Sequence, residues 1–107
     1  MKKAHHYYVY ILVCSDGSYY TGITNNLERR LWEHETGFNP GSYTHHRRPV
    51  MLKYAIHLTD IKQAIAWEKQ IKGWSRKKKE ALFTEDWEEI KRLAKNYTEH
   101  PPSTGTS

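Results

Sequence analysis

Two runs rich in aromatic and β-branched residues, Tyr7 to Cys14 and Tyr19 to Ile23, are separated only by Ser15-Asp16-Gly17-Ser18. Side chains of this kind fit a pleated, half-buried surface, and an Asp-Gly pair between two such runs favours a tight turn. The chain therefore opens with an antiparallel hairpin, and whatever follows must cover it. Asn25 and Asn26 come next as good N-cap residues, with Glu28 placed for a first turn. Leu27, Leu31 and Trp32 give a helical pattern up to about Thr36, and Gly37 closes it. From Phe38 to Pro49 the residues are those of a loop, long enough to be functional. Val50 to Leu58 reads as a third strand, although Met51 to Ile56 alternates only loosely.

The remainder is helical. Asp60 can cap a helix from Ile61 to about Lys72 that stops near Gly73, and Ser75 can cap another that reaches Phe83. Thr84 is placed to cap a last helix, with Glu85, Asp86, Glu88 and Glu89 early and Lys91, Arg92 and Lys95 late. That order complements the helix dipole, and Trp87, Ile90, Leu93, Ala94 and Tyr97 supply an apolar face. The residues from Glu99 onward read as a frayed tail. The order β-β-α-β-α-α-α describes a mixed α/β (α+β) domain with a small, largely antiparallel sheet.

Composition narrows the partners. The chain has 107 residues, 17 Lys and Arg against 12 Asp and Glu, 7 His, 4 Trp and 8 Tyr, for a formal charge of +5. A small, basic, aromatic-rich chain suits a polyanion, with nucleic acid foremost. One cysteine, Cys14, excludes an internal disulfide and any multi-cysteine zinc finger. Its apolar surroundings make it a core residue. The longest apolar stretch, Val9 to Cys14, is far too short to cross a bilayer, and no leader pattern follows Met1-Lys2-Lys3. A cytoplasmic protein with no membrane partner is expected.

Several polar residues stand in apolar places. On a wheel of about 100° per residue, Ile61, Ala64, Ile65, Trp67, Ile71 and Trp74 cover one broad arc, and Glu68 lies inside it. A carboxylate there must be paired with a cation, hydrogen-bonded or bound to a metal. Arg30 and His34 are four apart on the first helix and could present a guanidinium and an imidazole to one phosphate, or form a solvated flank. Tyr10 and Tyr20 lie one on each hairpin strand, where packing is the plain reading. Arg76-Lys77-Lys78-Lys79 places cations at a helix N-terminus, against the dipole; a phosphate backbone nearby would offset that cost. His45, His46, Arg47 and Arg48 form a second basic cluster without metal-ligand spacing. No phosphate-binding glycine loop, nucleophile elbow or Cys-His pair is present.

Taken in order, Tyr8-Val9-Tyr10, Tyr20-Thr21-Gly22, the run from Asn26 to His34, and Ala66-Trp67-Glu68-Lys69-Gln70-Ile71-Lys72 resemble a GIY-YIG nuclease domain from about Tyr7 to Phe83. The likeness is greatest to small stand-alone bacterial members related to the N-terminal domain of an excision-repair nuclease. It implies a three-stranded sheet flanked by helices and metal-dependent cleavage of DNA phosphodiesters, structure- or strand-selective, with RNA also a possible substrate. Residues 1–83 would be the nuclease-like domain, 84–98 an accessory helix and 99–107 a tail. By resemblance, Tyr20 would be the general base with Tyr10 beside it. Arg30 would neutralise the phosphate, and His34 would hold the phosphate or assist proton transfer. Glu68 would bind one Mg²⁺ or Mn²⁺. Tyr43 is a further site candidate, and His45, His46, Arg47, Arg48, Arg76, Lys77, Lys78 and Lys79 would guide nucleic acid. Tyr8 stands where the first motif has Gly, Thr21 where the second has Ile, and Ile23 where some members carry Lys. An Asn found in many members beyond the glutamate is not evident. A separate targeting protein would choose where such a chain cuts. Two other readings remain: a nucleic-acid-binding module with a vestigial site, and an interaction domain using the Trp87 to Tyr97 face.

Overall fold

A computed structural model describes residues 5–99, with side chains described for residues 5–93. The opening hairpin is present as β1 (Tyr7–Val13) and β2 (Tyr19–Thr24), joined through a turn in which Gly17 adopts φ 84°. Ser18 donates to the Asp16 carboxylate from both its backbone N–H and its hydroxyl, at 3.0 and 2.6 Å. Next comes α1 (Leu27–Thr36), capped by the Asn26 side chain accepting from the Arg29 N–H and closed by Gly37 at φ 69°. Strand β3 (Met51–Leu58) and helix α2 (Ile61–Lys72) follow, the helix capped by Asp60.

The sheet is three-stranded, antiparallel and ordered β2-β1-β3. Its central strand is the core of this part of the chain: Val9, Tyr10, Ile11 and Leu12 are all fully buried, and Cys14 is buried just beyond them. Helix α2 packs against all three strands, burying Ala64 and Ile71. Trp67 Nε1 donates to the Tyr54 hydroxyl on β3 at 3.3 Å. The apolar arc expected on α2 is narrower in fact. Ile61 and Ile65 are exposed, because the covered face runs through Ala64, Glu68 and Ile71 instead. The loose alternation of β3 also has a cause. Ile11 pairs with Tyr54 and Leu12 with Leu52, so an extra residue bulges at Lys53 and resets the pleat.

The chain divides into two compact units, one ending at Gly73 and the other beginning at Trp74. The second unit contains α3 (Arg76–Phe83), capped by Ser75, and α4 (Trp87–Glu99), and these two pack together. Thr84 does not cap α4. It ends α3, Glu85 turns the chain at φ 56°, and the Asp86 carboxylate accepts from the Glu89 N–H at 3.1 Å. On α4, Ile90 is buried and Trp87 is exposed. The side chains of Ala94, Lys95 and Tyr97 lie outside the described residues, as does most of the expected tail. Among the described residues no helix is long and apolar enough to cross a membrane.

One glycine decides whether the hairpin can close over its own side chain. Gly22 pairs with Tyr10 across the strands, and the Tyr10 ring lies over it. A Cβ built at Gly22 would stand 2.5 Å from the Tyr10 oxygen and 2.6 Å from its Cζ. Since Tyr10 is fully buried, the ring has nowhere to move. Gly22→Ala should therefore cost about 1–3 kcal/mol in urea unfolding, the range for overfilling a packed site. A midpoint unchanged from the parent chain would show that the ring can yield.

Candidate active site

Tyr10, Gly22 and Tyr20 share one face of the sheet by strand alternation and register. Against that face α1 presents His34, the one buried side chain of the helix, at 2% exposure. It is therefore no solvated flank. The Tyr10 oxygen lies 2.9 Å from His34 Nε2, and His34 Nδ1 lies 2.7 Å from the Thr44 hydroxyl. Thr44 is 1% exposed and is held by Ser42, whose Oγ accepts from the Thr44 N–H and lies 3.0 Å from its hydroxyl. A continuous chain of polar atoms thus links the central strand to the long loop.

Charge and burial set the protonation of that chain. Burial pushes the His34 imidazole down to about 4, and the Arg30 charge nearby pushes the same way. Burial also raises Tyr10 well above the ordinary phenol value, with Tyr20 beside it as the next cause. A neutral imidazole bonds to both hydroxyls at once, one ring nitrogen donating and the other accepting.

Tyr20 and Tyr43 complete an aromatic wall. The Tyr20 ring centroid lies 5.1 Å from that of His34, 6.2 Å from that of Tyr10 and 5.8 Å from that of Tyr43, the last pair stacked. Arg30 faces both Tyr10 and Tyr20, and its Nη1 donates to Glu33 Oε1 at 2.8 Å. Glu33 also takes Arg29, at 3.4 Å. Burial works against the Arg30 charge, but the hydrogen bond to Glu33 and those to the two tyrosines outweigh it and raise the Arg30 pKa, so the guanidinium is permanently charged.

Glu68 sits at the edge of the core, and its Oε2 is 2.6 Å from Lys72 Nζ. The cation that the apolar arc demanded is therefore Lys72, one helical turn on. Lys72 also feels Tyr20, which places Glu68, Lys72 and Tyr20 in one neighbourhood. The structure brings together Tyr10, Tyr20, Arg30, His34 and Tyr43, with Glu68 joined through Lys72. Among the described residues no three His, Cys, Asp or Glu could hold a metal together. A lone carboxylate still suits a hard divalent ion that keeps its waters and takes further oxygens from a phosphate.

The basic clusters are partly spent inside the fold. Arg47 donates to the Tyr43 carbonyl at 2.7 Å and to Asp16 at 3.2 Å, and its guanidinium lies 3.9 Å above the Tyr43 ring. Arg48 donates to the His45 carbonyl at 2.9 Å and lies over Gly37. His45 and His46 meet edge to face at 4.6 Å. On α3, in the second unit, Arg76 pairs with Glu80 at 3.4 Å and Lys78 lies 4.3 Å over the Trp74 ring. Burial lowers the pKa of both Lys78 and Lys79. Lys77 is exposed. Sequence reasoning missed Thr44 and Lys72. A loop threonine carries no periodic signal, whereas Lys72 was open to discovery as the basic residue four beyond Glu68.

A family model described as the GIY-YIG catalytic domain matches residues 6–81. The chain belongs to this family. Within the GIY-YIG family it is 41% identical over 83 residues to a UPF0213 protein of Bacillus pumilus, covering 78% of this chain and 84% of the relative. It is 43% identical to a UPF0213 protein of Halobacterium salinarum, covering 72% of this chain and 99% of the relative. Two solution NMR structures share the fold. The UPF0213 protein BH0048 from Bacillus halodurans is 40% identical, with TM-score 0.50, covering 74% of this chain and 83% of that one. The protein EF2693 from E. faecalis is 39% identical, with TM-score 0.53, covering 78% and 85%. The α+β fold and the GIY-YIG catalytic domain are thus shared with proteins whose names state no activity.

The depressed pKa of His34 has a defined sign in stability. The unfolded imidazole titrates near 6.5. Between there and about 4 the unfolded chain binds more protons than the folded one. This contribution is complete above about pH 6.5 and is lost as pH falls toward 4. Urea midpoints should fall across that window, and His34→Gln should flatten the fall. An imidazole NMR titration of His34 centred near 6.5 would contradict the buried, neutral ring.

Proposed function

We propose that this GIY-YIG protein is a divalent-metal-dependent endonuclease that hydrolyses DNA phosphodiesters in the cytoplasm, with preference for particular DNA structures. The observation that carries the reading is the meeting of Tyr20, Arg30 and the Tyr10–His34 pair on one face, with the Glu68–Lys72 pair beside Tyr20. All of these residues lie in the unit ending at Gly73. Chemistry is assigned to that unit, and the cations at Arg76 to Lys79 to holding nucleic acid.

The roles follow from protonation and position. Arg30 offers the phosphate a charge that cannot be lost, once part of its fork leaves Glu33. Tyr10 is held protonated and bonded to His34, so it serves to position its neighbours. Tyr20 is left as the group to take a proton from the attacking water, and negative charge developing on its oxygen faces Arg30 and Lys72. Glu68 would hold one Mg²⁺ or Mn²⁺, which supplies Lewis-acid stabilisation of charge on the phosphate and leaving oxygens. A targeting protein would supply the choice of locus.

The full chain should nick plasmid or branched DNA with Mg²⁺ or Mn²⁺. Tyr20→Phe should lower the cleavage rate by about 10²–10⁴, the range for losing a general base. Glu68→Ala should abolish nicking while DNA affinity stays largely intact. Undiminished cleavage by Glu68→Ala would remove the assigned metal role. Binding without cleavage across branched and single-stranded substrates would instead support a vestigial site, with the protein acting as a binding module.

The α3 cations give a separate test. Replacing Lys77 and Lys79 by Gln should weaken binding to all sequences and flatten its dependence on salt, since each phosphate contact releases counterions. An unchanged slope of affinity against salt would remove these lysines from the nucleic-acid surface.

A further inference from the structure

Tyr8 has no part in the chemistry just described. It shares the sheet face of Tyr10 and pairs with Thr24 on one side and His57 on the other. His57 stacks on the Tyr8 ring at 5.1 Å and 30°. His6 stacks on His57 at 4.9 Å, and its Nδ1 lies 2.7 Å from His57 Nε2. Both histidines are exposed and Tyr8 is half-buried. Three flat rings are thus held in place at the surface, each fixed by the next.

This stack borders a hollow of about 560 Å³ whose lining includes His6, Tyr8, Asn25, Leu27, Glu28 and Leu31. Leu27 and Leu31 stand one turn apart on α1 and give it an apolar wall. Asn25 and Glu28 add hydrogen-bonding groups at the rim. A second hollow, of about 480 Å³, is lined by Thr24, Arg29, Arg30 and Glu33 and shares Asn25 and Asn26 with the first. One hollow therefore combines a ring, two leucines and a polar rim, the setting for a flat heterocycle. Its neighbour carries two guanidiniums, both paired with Glu33, whose place a phosphate would take. A nucleotide presents those two groups side by side.

We propose that the Tyr8 hollow receives an unpaired nucleobase from the strand whose phosphate Arg30 engages. The inference rests on the nucleic-acid reading above and adds to it the source of structural preference. A base inside a duplex is stacked and paired, so entering the hollow costs least where it is already unpaired. Tyr8 supplies the stacking face, His57 and His6 hold that face rigid, and Asn25 and Glu28 meet the base edge. Single strands, gaps and branch points are then favoured over continuous duplex.

The test is binding of the full chain without divalent metal, at low salt, by fluorescence anisotropy. The probes are a single strand of about 12 nucleotides and an uninterrupted duplex. Stacking on an aromatic side chain is worth about 1–3 kcal/mol per base, so Tyr8→Ala should weaken single-strand binding by about tenfold. Duplex binding should be unchanged, and Tyr8→Phe should retain single-strand affinity. His57→Ala, at an exposed position, should also weaken the single strand, and the Tyr8 ring resonances of the parent chain should shift when it is added. If Tyr8→Ala keeps a native amide spectrum and binds the single strand as the parent does, the base site is overturned. The nuclease reading would survive that result, because it rests on Tyr20 and Glu68. If the parent chain binds neither probe, both readings fall together.

Discussion

The Tyr10 hydroxyl is a polar group at the centre of the hydrophobic strand, and much of the first unit is arranged to satisfy it. A buried hydroxyl left without a partner costs a few kcal/mol, comparable to a large part of a small domain's net stability. His34 meets that need from α1, and Thr44 meets the corresponding need of His34 from the loop. Gly22 is required because the ring crosses the neighbouring strand at that point. Helix α1 buries no apolar side chain fully, and Trp32 is exposed against Phe38. Its seat on the sheet is thus set by an imidazole bonded on one side to Tyr10 and on the other to Thr44, which gives the candidate site its precision.

The two charged candidates around that seat, Arg30 and Glu68, are each paired within the chain. Arg30 is held by Glu33, both of them largely covered, and Glu68 by Lys72, which reaches solvent. The half-exposed Glu68–Lys72 pair contributes little stability, whereas separating the more covered Arg30–Glu33 pair is costly unless another anion takes the place of the carboxylate. On the proposed nuclease reading, the internal partners would act as placeholders of the right sign. They would keep the guanidinium and the carboxylate ordered until a ligand of matching charge arrives. The loop arginines differ in kind. Arg47 ties Tyr43 to the hairpin turn through Asp16, so part of its charge serves to position an aromatic ring of the site.

Local chemistry made most of the element boundaries legible. The Asp-Gly turn, the Asn26, Asp60 and Ser75 caps and the Gly37 stop each act within a few residues, and each stands where the sequence places it. What was not legible depends on distant neighbours. The bulge at Lys53 is fixed by where β1 pairs, so periodicity within β3 could show only that something disturbed it. Helical spacing put Ile61, Ile65 and Glu68 on one arc, but the breadth of cover over that arc belongs to the sheet. Thr84 and Asp86 are both competent caps, and the left-handed turn at Glu85 decides between them. Of the candidate site, the residues that the structure brings together were readable as types at spacings. Thr44, which orients one of them, was not.

The register also explains why the two motif glycines of the GIY-YIG family are not equivalent here. The second, Gly22, lies beneath the Tyr10 ring, and any side chain there would collide with a ring that cannot move. The first is replaced by Tyr8, whose cross-strand neighbours are Thr24 and His57 rather than a crossing aromatic ring. Where Gly22 is roofed by a buried ring, Tyr8 lines an open hollow. Packing therefore dictates glycine at one position and leaves the other open to a large side chain. A residue that the core does not constrain, two places along the strand from Tyr10 and on the same face, is where a member of this fold can vary what it recognises without disturbing how it is built.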